Sequence, residues 1–371
     1  MTYVHTEEHD QLRSTVRAFL DQTSPEAEVR RLMDTDEGYD PAVWAQMGEQ
    51  LALQGLHIPE EFGGSGYGYV ELCVVLEELG ASLAGGPFFA SAVLAASAVM
   101  ESGDHAARKD LLPSLADGST IGTVAFADRH GRWDTSSDQT VATRTRDRYL
   151  LTGTKSYVLD GSIADVVVVT AELDGELSLF VVSGRADGLT KDRLPTMDLT
   201  RKQATLTFNG TPARLLGEPG DATAVLDRVL ALACVALANE NVGGLRAVLD
   251  QSVQYAKERY QFGRPIGSFQ AVKHMCADIL VDLEGAKSAA YFAAHSTADD
   301  QRLPIASSLA KSYTGEAYFR AASANIQIHG GLGFTWEHLA HLYFKRAKSA
   351  ELLFGDSIYH RSLLAGALQL R

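Results

Sequence analysis

The sequence predicts an α+β chain in which a helical segment, a β segment and a second helical segment follow one another, without alternating strand–helix units. Three observations carry this reading. Apolar residues recur at helical spacing from Glu7 to about Leu115, give way to short β-branched runs after Thr120, and return to long helical stretches after Ala222. The boundaries drawn from them are 1–118, 119–219 and 220–371.

In the first segment the helical spacing is clear in Leu12, Val16, Phe19 and Leu20, and again in Val70, Val74, Leu76 and Leu79. Breaks fall at Pro59, at the glycines Gly63, Gly64, Gly66 and Gly68, and at Gly85-Gly86-Pro87. The middle segment offers strands over Asp165 to Thr170, Leu177 to Val182 and Ala204 to Phe208. Turn signals at Asp160-Gly161, Asp174-Gly175 and Asn209-Gly210 punctuate them as hairpins. The third segment breaks only near Gly263 to Gly267, Asp299 to Pro304 and Gly330 to Gly333, and four helices separated by such breaks form a bundle.

With 371 residues, 46% hydrophobic and 22% charged, the chain buries a sizeable core as two or three packed units. Its formal net charge of -14 and pI of about 5.2 exclude a strong attraction to a nucleic-acid backbone, so any nucleotide it holds is a small ligand gripped locally. The stretch from Met1 to Leu20 has no basic leader with an apolar run behind it. No uninterrupted run of eighteen apolar residues occurs anywhere, and a cytoplasmic protein without membrane contact is expected. Cys73, Cys234 and Cys276 lack metal-site spacing and read as reduced core thiols. His338 and His341 have no Cys or carboxylate to complete a ligand set, so no metal is expected. The basic run Lys345-Arg346-Ala347-Lys348 beside them reads as a solvated face or a cofactor contact.

Two clusters carry chemistry. Lys257 to Gln270, reading Lys-Glu-Arg-Tyr-Gln-Phe-Gly-Arg-Pro-Ile-Gly-Ser-Phe-Gln, sets a guanidinium, an amide and an aromatic at a helix end before a glycine turn. Such a group can pair with a pyrophosphate and pack against an adenosine. Gln327-Ile328-His329-Gly330-Gly331-Leu332-Gly333-Phe334-Thr335 ends a helix in glycines that let backbone amides approach a ligand. Taken singly, each also reads as a plain helix stop. In this order and at this separation they closely resemble the flavin signatures of the acyl-CoA dehydrogenase family. The likeness extends to Gly55-Leu56-His57-Ile58-Pro59-Glu60-Glu61-Phe62-Gly63-Gly64-Ser65-Gly66 and to Glu77-Glu78-Leu79-Gly80, and so covers essentially the whole chain.

The resemblance implies an N-terminal helical domain, a middle β-barrel-like domain and a C-terminal four-helix bundle. It implies FAD as cofactor, with Arg259, Gln261, Phe262, Phe269, Gln270, Gln327, Gly330 and Gly331 holding its pyrophosphate and adenosine across a subunit boundary. It also implies an acyl-CoA substrate, in fatty acid or steroid degradation, and an electron-transfer acceptor.

The chain departs from the family where the flavin ring and the catalytic carboxylate are concerned. Ala125 to Asp134 stands in place of the family's Gly-rich acidic turn, and Leu159 stands where a hydroxyl near the ring is usual. Phe354 falls at the usual carboxylate position, with Glu351 and Asp356 as neighbours that do not inherit the role. The candidate base is then Glu240, on the first long helix of the last segment. Its helical neighbours Ala236, Gly243 and Gly244 are small, so the two glycines indicate close packing against either another helix or a ligand. The competing reading is a surface carboxylate beside a tight helix contact. If Glu240 is the base, it takes the α-proton of an acyl thioester while a hydride leaves the β-carbon.

These departures resemble the shorter, diverged subunits of actinobacterial heteromeric enzymes acting on sterol-derived acyl-CoA chains. They imply a second dehydrogenase-like subunit in an α2β2 assembly. The alternatives are a non-catalytic subunit lending the adenosine half of a partner's site, and a homo-oligomeric oxidase or monooxygenase of the same fold.

Overall fold

The computed structural model describes residues 6–369 apart from 132, 134–138 and 147. Met1 to His5, and Arg132 and Asp134 of the departing stretch, therefore lie outside the described residues. In chain order the helices are α1 (Glu7–Thr23), α2 (Glu26–Met33), α3 (Pro41–Glu49), α4 (Tyr69–Ala81), α5 (Ala96–Glu101), α6 (His105–Ala116), α7 (Ala222–Glu258), α8 (Gln270–Ala294), α9 (Leu303–His329), α10 (Gly331–Phe334), α11 (Ala340–Leu352) and α12 (Ser357–Ala367). The strands are β1 (Gly122–Ala125), β2 (Val141–Arg144), β3 (Tyr149–Leu159), β4 (Val166–Leu173), β5 (Glu176–Ser183), β6 (Leu189–Arg193), β7 (Gln203–Leu216), and the two-residue pair β8 (Tyr260–Gln261) and β9 (Arg264–Pro265).

Capping residues start several helices where the sequence supplies them. Thr6 caps α1 in a reciprocal box whose second member is His9 instead of the usual Glu, its Nδ1 accepting the Thr6 amide at 3.1 Å. Asp40 ahead of Pro41 opens α3, Asp104 opens α6 and Asp356 opens α12. One element has no signal in the periodicity: Phe89–Ala95 winds as a π-helix, fully buried.

The fold is the helical, sheet and helical-bundle architecture expected. Its compact units are discontinuous in sequence. One comprises residues 1–30, 69–84 and 234–371, the other 31–68 and 85–233. The second unit is built on a sheet that closes on itself: β4, β2, β3, β7 and β5 pair in turn and β5 pairs back to β4, with β1 beside β4 and β6 beside β7. Leu151, Val158, Val167, Val169, Phe180, Leu206 and Phe208 fill its interior. Asp174-Gly175 makes the expected hairpin between β4 and β5, both residues at positive φ. Asn209-Gly210 does not make a turn. It lies inside β7, where the pairing with β3 shifts register between Leu151 and Thr152. The Asn209 amide is taken by the Gly188 carbonyl, so the dipeptide is accommodated as an irregularity of one long strand.

In the first unit α8, α11 and α12 each pack on α9, while α7 reaches α8 through the Asn239 amide on the Ala290 carbonyl and α11 through Glu240 and Arg346. Gly243 faces the Glu77 carbonyl on α4, Gly80 of α4 faces the Glu240 carbonyl, and Gly244 faces the Tyr318 ring of α9; a Cβ at any of the three would collide. The two glycines of α7 thus answer to other helices, not to open space for a ligand. The apolar window of α7 is long enough to cross a membrane by composition but is mostly buried inside the protein. Cys73 and Cys234 are buried thiols and Cys276 is half-buried.

Candidate functional site

The helix α7 ends at Glu258, and the chain reverses at once through the β8–β9 hairpin, closed by the Ile266 amide on the Arg259 carbonyl at 2.8 Å. Phe262 and Gly263 are its two central residues, at φ 53° and 76°, the conformation a two-residue hairpin demands. An aromatic in that conformation is unusual, and here it projects the ring into solvent: Phe262 is 91% exposed, its ring edge-on to Phe269 with centroids 6.1 Å apart. The Arg264 guanidinium lies 4.1 Å over the Phe269 ring. Arg259, Gln261 and Gln270 are exposed on the same short segment.

The helix α9 ends beside α7. Its last-turn His329 stacks on Tyr255 of α7, ring centroids 4.2 Å apart, and His338 lies 4.3 Å beyond. This contact ties the Arg259–Gln270 hairpin segment and the Gln327–Gly331 segment to neighbouring helix ends. Gln327 is exposed, Gly330 closes α9 at φ 61°, and its amide bonds the Gln327 and Ile326 carbonyls. Gly331 has no such conformational demand, and a Cβ placed on it would meet nothing within 4 Å. The chain itself therefore gives no reason for glycine there. A cradle left open at an exposed helix start suits the close approach of something outside the chain.

Glu240 lies elsewhere. It is eighteen residues before the end of α7, roughly 27 Å along the axis at 1.5 Å per residue. The residue is buried, 5% exposed, and its Oε1 accepts from Arg346 Nη1 at 2.7 Å. Arg346 is likewise buried, reaches the Ala84 carbonyl at 3.4 Å, and is preceded by about one turn on α11 by Tyr343, whose hydroxyl donates to the Ala81 carbonyl at 2.6 Å. The competing reading of Glu240 as a surface carboxylate is thus corrected to an interior ion pair. The basic run also differs from a solvated face, since Lys345 sits 4.1 Å over Trp336 and Lys348 4.9 Å over Phe319. Sequence spacing could not reveal this pair, because its partners are 106 residues apart.

A second ion cluster also escaped the sequence reading. Glu77 and Glu78 on α4 are almost fully buried. Arg13 and Arg246 bond Glu77 at 2.7 and 2.8 Å, and Tyr291 donates to its other oxygen at 2.9 Å. Arg13, Arg17 and Arg246 all reach Glu78. Burial pushes the Glu78 carboxyl up, but the Arg17 hydrogen bond and the Arg246 charge outweigh it and hold the group below the usual carboxylate range.

The departures at Ala125 and Leu159 sit in the other unit. Leu159 is buried with its carbonyl accepting from Thr123 at 2.6 Å, and Ser156 bonds the Ala127 carbonyl at 3.0 Å. The loop from Gly55 to Gly66 folds on itself, the Ser65 amide bonding the Gly55 carbonyl at 2.9 Å.

Comparison with known proteins adds the following. The C-terminal domain model of the acyl-CoA dehydrogenases matches residues 223–369, and their N-terminal domain model matches residues 6–119. The acyl-CoA dehydrogenase IpdE2 of Mycolicibacterium smegmatis is 36% identical over 353 residues, covering 94% of this chain and 95% of its own. Among solved structures, the ChsE4–ChsE5 complex from Mycobacterium tuberculosis matches at a TM-score of 0.91 and 29% identity over the whole of both chains. The glutaryl-CoA dehydrogenase complex with glutaryl-CoA matches at a TM-score of 0.93 and 26% identity over 100% of this chain and 98% of the other. A steroid acyl-CoA dehydrogenase variant, Tcur3481–Tcur3483, matches at 0.88 and 30% identity over 98% of each.

Proposed function

The chain belongs to the acyl-CoA dehydrogenase family of FAD-dependent oxidoreductases acting on CH–CH bonds, and from that premise we propose that it is one subunit of a heteromeric enzyme converting an acyl-CoA thioester to its trans-2-enoyl thioester. The observation that carries the subunit role is the separation of two groups. A cofactor-type donor set is exposed at one end of α7, while Glu240 lies deep along the same helix and is already engaged by Arg346.

The residues fit FAD by the chemistry of their donors. Arg259 offers a guanidinium to the pyrophosphate, Gln261, Gln270 and Gln327 offer amides, Phe262 and Phe269 offer ring faces, and Gly330 and Gly331 leave room for backbone approach. FAD, when bound, supplies the acceptor for a hydride from the β-carbon and passes the electrons to an electron-transfer acceptor. The protein's part is to hold the dinucleotide's phosphate end, to exclude water from it with apolar rings, and to leave the proton to a base.

On this chain the candidate base is Glu240, yet its bond to buried Arg346 favours a counter-ion role, and we assign the base to the second subunit. Phe262 at 91%, Phe334 at 80% and Trp336 at 58% exposure are large apolar rings on the same loops, which suits burial against such a partner in an α2β2 assembly. A steroid-derived acyl group is the substrate class this reading favours, by likeness to the Tcur3481–Tcur3483 steroid enzyme. The free thiols suit a cytoplasmic setting.

The test is the visible flavin spectrum of the chain purified alone and after co-expression with a dehydrogenase-like second subunit. Flavin and acyl-CoA-dependent bleaching are expected only from the mixed complex. A full flavin complement with turnover in the lone chain would overturn the heteromeric reading and restore Glu240 as the base to examine.

A further inference from the structure

Lys311 of α9 is 1% exposed, and its ammonium donates to two backbone carbonyls, Glu351 at 2.9 Å and Gly355 at 2.7 Å. These carbonyls bracket the turn between α11 and α12. A third carbonyl in the turn, that of Phe354, accepts from His360 Nε2 at 3.0 Å, and the other ring nitrogen of His360 faces the Ser308 hydroxyl at 3.4 Å. The hydrogen bonds assign the neutral Nε2–H tautomer, with Ser308 as donor to Nδ1. Burial agrees with this, pushing His360 down to about 4.

The backbone these groups hold is an unusual one. Phe354 sits at φ 61° and Gly355 at φ 103°, so a bulky aromatic occupies a region that residues with a side chain seldom adopt. Phe354 is nonetheless buried, 3% exposed. Such a conformation persists where the surroundings over-determine it, and here two side chains fix three carbonyls within five residues.

Lys311 is an expensive way to do this. Among the described residues its hydrogen-bond partners are carbonyls, and its charged form faces the Cys234 thiol, His360, and the Glu351 and Asp356 carboxylates at longer range. Glu351 is itself bonded to Lys348 at 2.7 Å. A buried ammonium held by dipoles without a bonded carboxylate carries a desolvation cost that an apolar residue of similar volume would avoid. Burial accordingly pushes Lys311 down to about 8.

We propose that Lys311 and His360 are positioning residues, a two-armed clamp that keeps the turn from Leu352 to Asp356 rigid, and with it the seat of Phe354, at a cost to the stability of the fold. The two effects then run in opposite directions with pH. The unfolded lysine keeps its proton to about 10.5 while the folded one loses it near 8, so the penalty is full below 8 and is relieved as pH rises from 8 toward 10.5. Over the same interval the bonds to Glu351 and Gly355 lose their charge assistance, and openings of the turn that leave Lys311 buried become easier. The inference stands apart from the flavin reading.

Hydrogen exchange of the full chain tests it, comparing the peptide spanning Leu352 to Ser357 with the rest of α9 and α11 after correction for intrinsic rates. From pH 7 to 9.5 the turn is expected to lose about fivefold in protection, the equivalent of one charge-assisted bond becoming a neutral one. The thermal midpoint should meanwhile rise relative to Lys311→Met. Lys311→Met should show low turn protection with no pH step, and Lys311→Gln, whose amide still carries two N–H donors, should regain part of it without the step. Turn protection that is flat with pH in the wild type, or wild-type protection in Lys311→Met, would overturn the proposal. Should the Met variant not fold, the wild-type pH series decides alone.

Discussion

The Glu240 carboxylate accepts from the Arg346 guanidinium at 2.7 Å with both side chains out of solvent, and this bond joins α7 to α11 inside the first unit. Removing one partner of a buried pair leaves an uncompensated charge, which costs about 3–5 kcal/mol, whereas replacing both with apolar groups is often neutral. Glu240→Ala is therefore expected to lower the urea-unfolding free energy by about that amount, and Glu240→Leu with Arg346→Met to recover most of it. In the flavin-loaded complex, kcat for Glu240→Gln should stay within about tenfold of wild type. A loss on the order of a thousandfold at unchanged stability would mean that Glu240 moves the α-proton after all.

Gly331 separates binding from folding cleanly. Its Cβ position is open, and alanine is favoured over glycine in a helix by about 1 kcal/mol, so Gly331→Ala should leave the chain as stable as before or slightly more so. On the proposed reading, the same methyl would occupy the space into which a phosphate or ribose approaches. Flavin retention in the assembled complex should fall, and Arg259→Ala should weaken it by roughly 10- to 100-fold through loss of a charge-assisted bond. Flavin titration by fluorescence reads both. Retention unchanged in both variants would remove these loops from the cofactor site.

The proposed cofactor loops were legible in the sequence because their chemistry is local. Arg259, Gln261, Phe262 and the Gln327–Gly331 run each lie within one short segment at a helix end, and glycine placement announces such ends. The order of helical and β segments was legible for the same reason, since periodicity is a property of neighbours in the chain. What stayed hidden depends on residues far apart. Glu240 reads as roomy until α4 brings Gly80 against it and α11 brings Arg346 to its oxygen. Lys311 reads as any helix lysine until the Glu351 and Gly355 carbonyls close over it. Asn209-Gly210 carries a sound hairpin signal that long-range pairing of β7 with β3 overrides.

The α4 carboxylates give a third expectation. Three arginines from α1 and α7 converge on Glu78, and because that group titrates below its ordinary value in the fold, its contribution is present above about pH 4.5 and is lost as pH falls through the lower folded value. Glu78→Gln should therefore destabilise at pH 7, by about 3–5 kcal/mol if the arginines are left unpaired, and the deficit should shrink toward acid pH. Arg17 is half-exposed, and Arg17→Ala should cost at most about 1 kcal/mol, less in high salt. Urea unfolding of both variants at pH 7 and pH 4 distinguishes them. Equal costs for the two would indicate a solvated cluster.

Acid should unfold this protein through its histidines before its carboxylates. Burial pushes His57 and His360 down to about 4, and burial together with the Lys345 and Arg30 charges does the same for His341. Each is neutral in the fold and takes up a proton on unfolding wherever the pH lies between its folded value and about 6.5. Stability is therefore full above 6.5 and falls as pH drops toward 4, by up to about 1.4 kcal/mol per pH unit for each histidine. His57 and His341 lie in different units, so the decline should appear in both. Thermal midpoints measured from pH 7 to pH 4 should slope steeply through this window. His341→Gln removes one titrating group from the first unit and should flatten that slope by about one proton without changing the plateau above pH 7. A plateau extending unbroken to pH 4.5 would show that these rings are not held neutral by their surroundings, and would withdraw the same support from the His360 arm of the turn clamp.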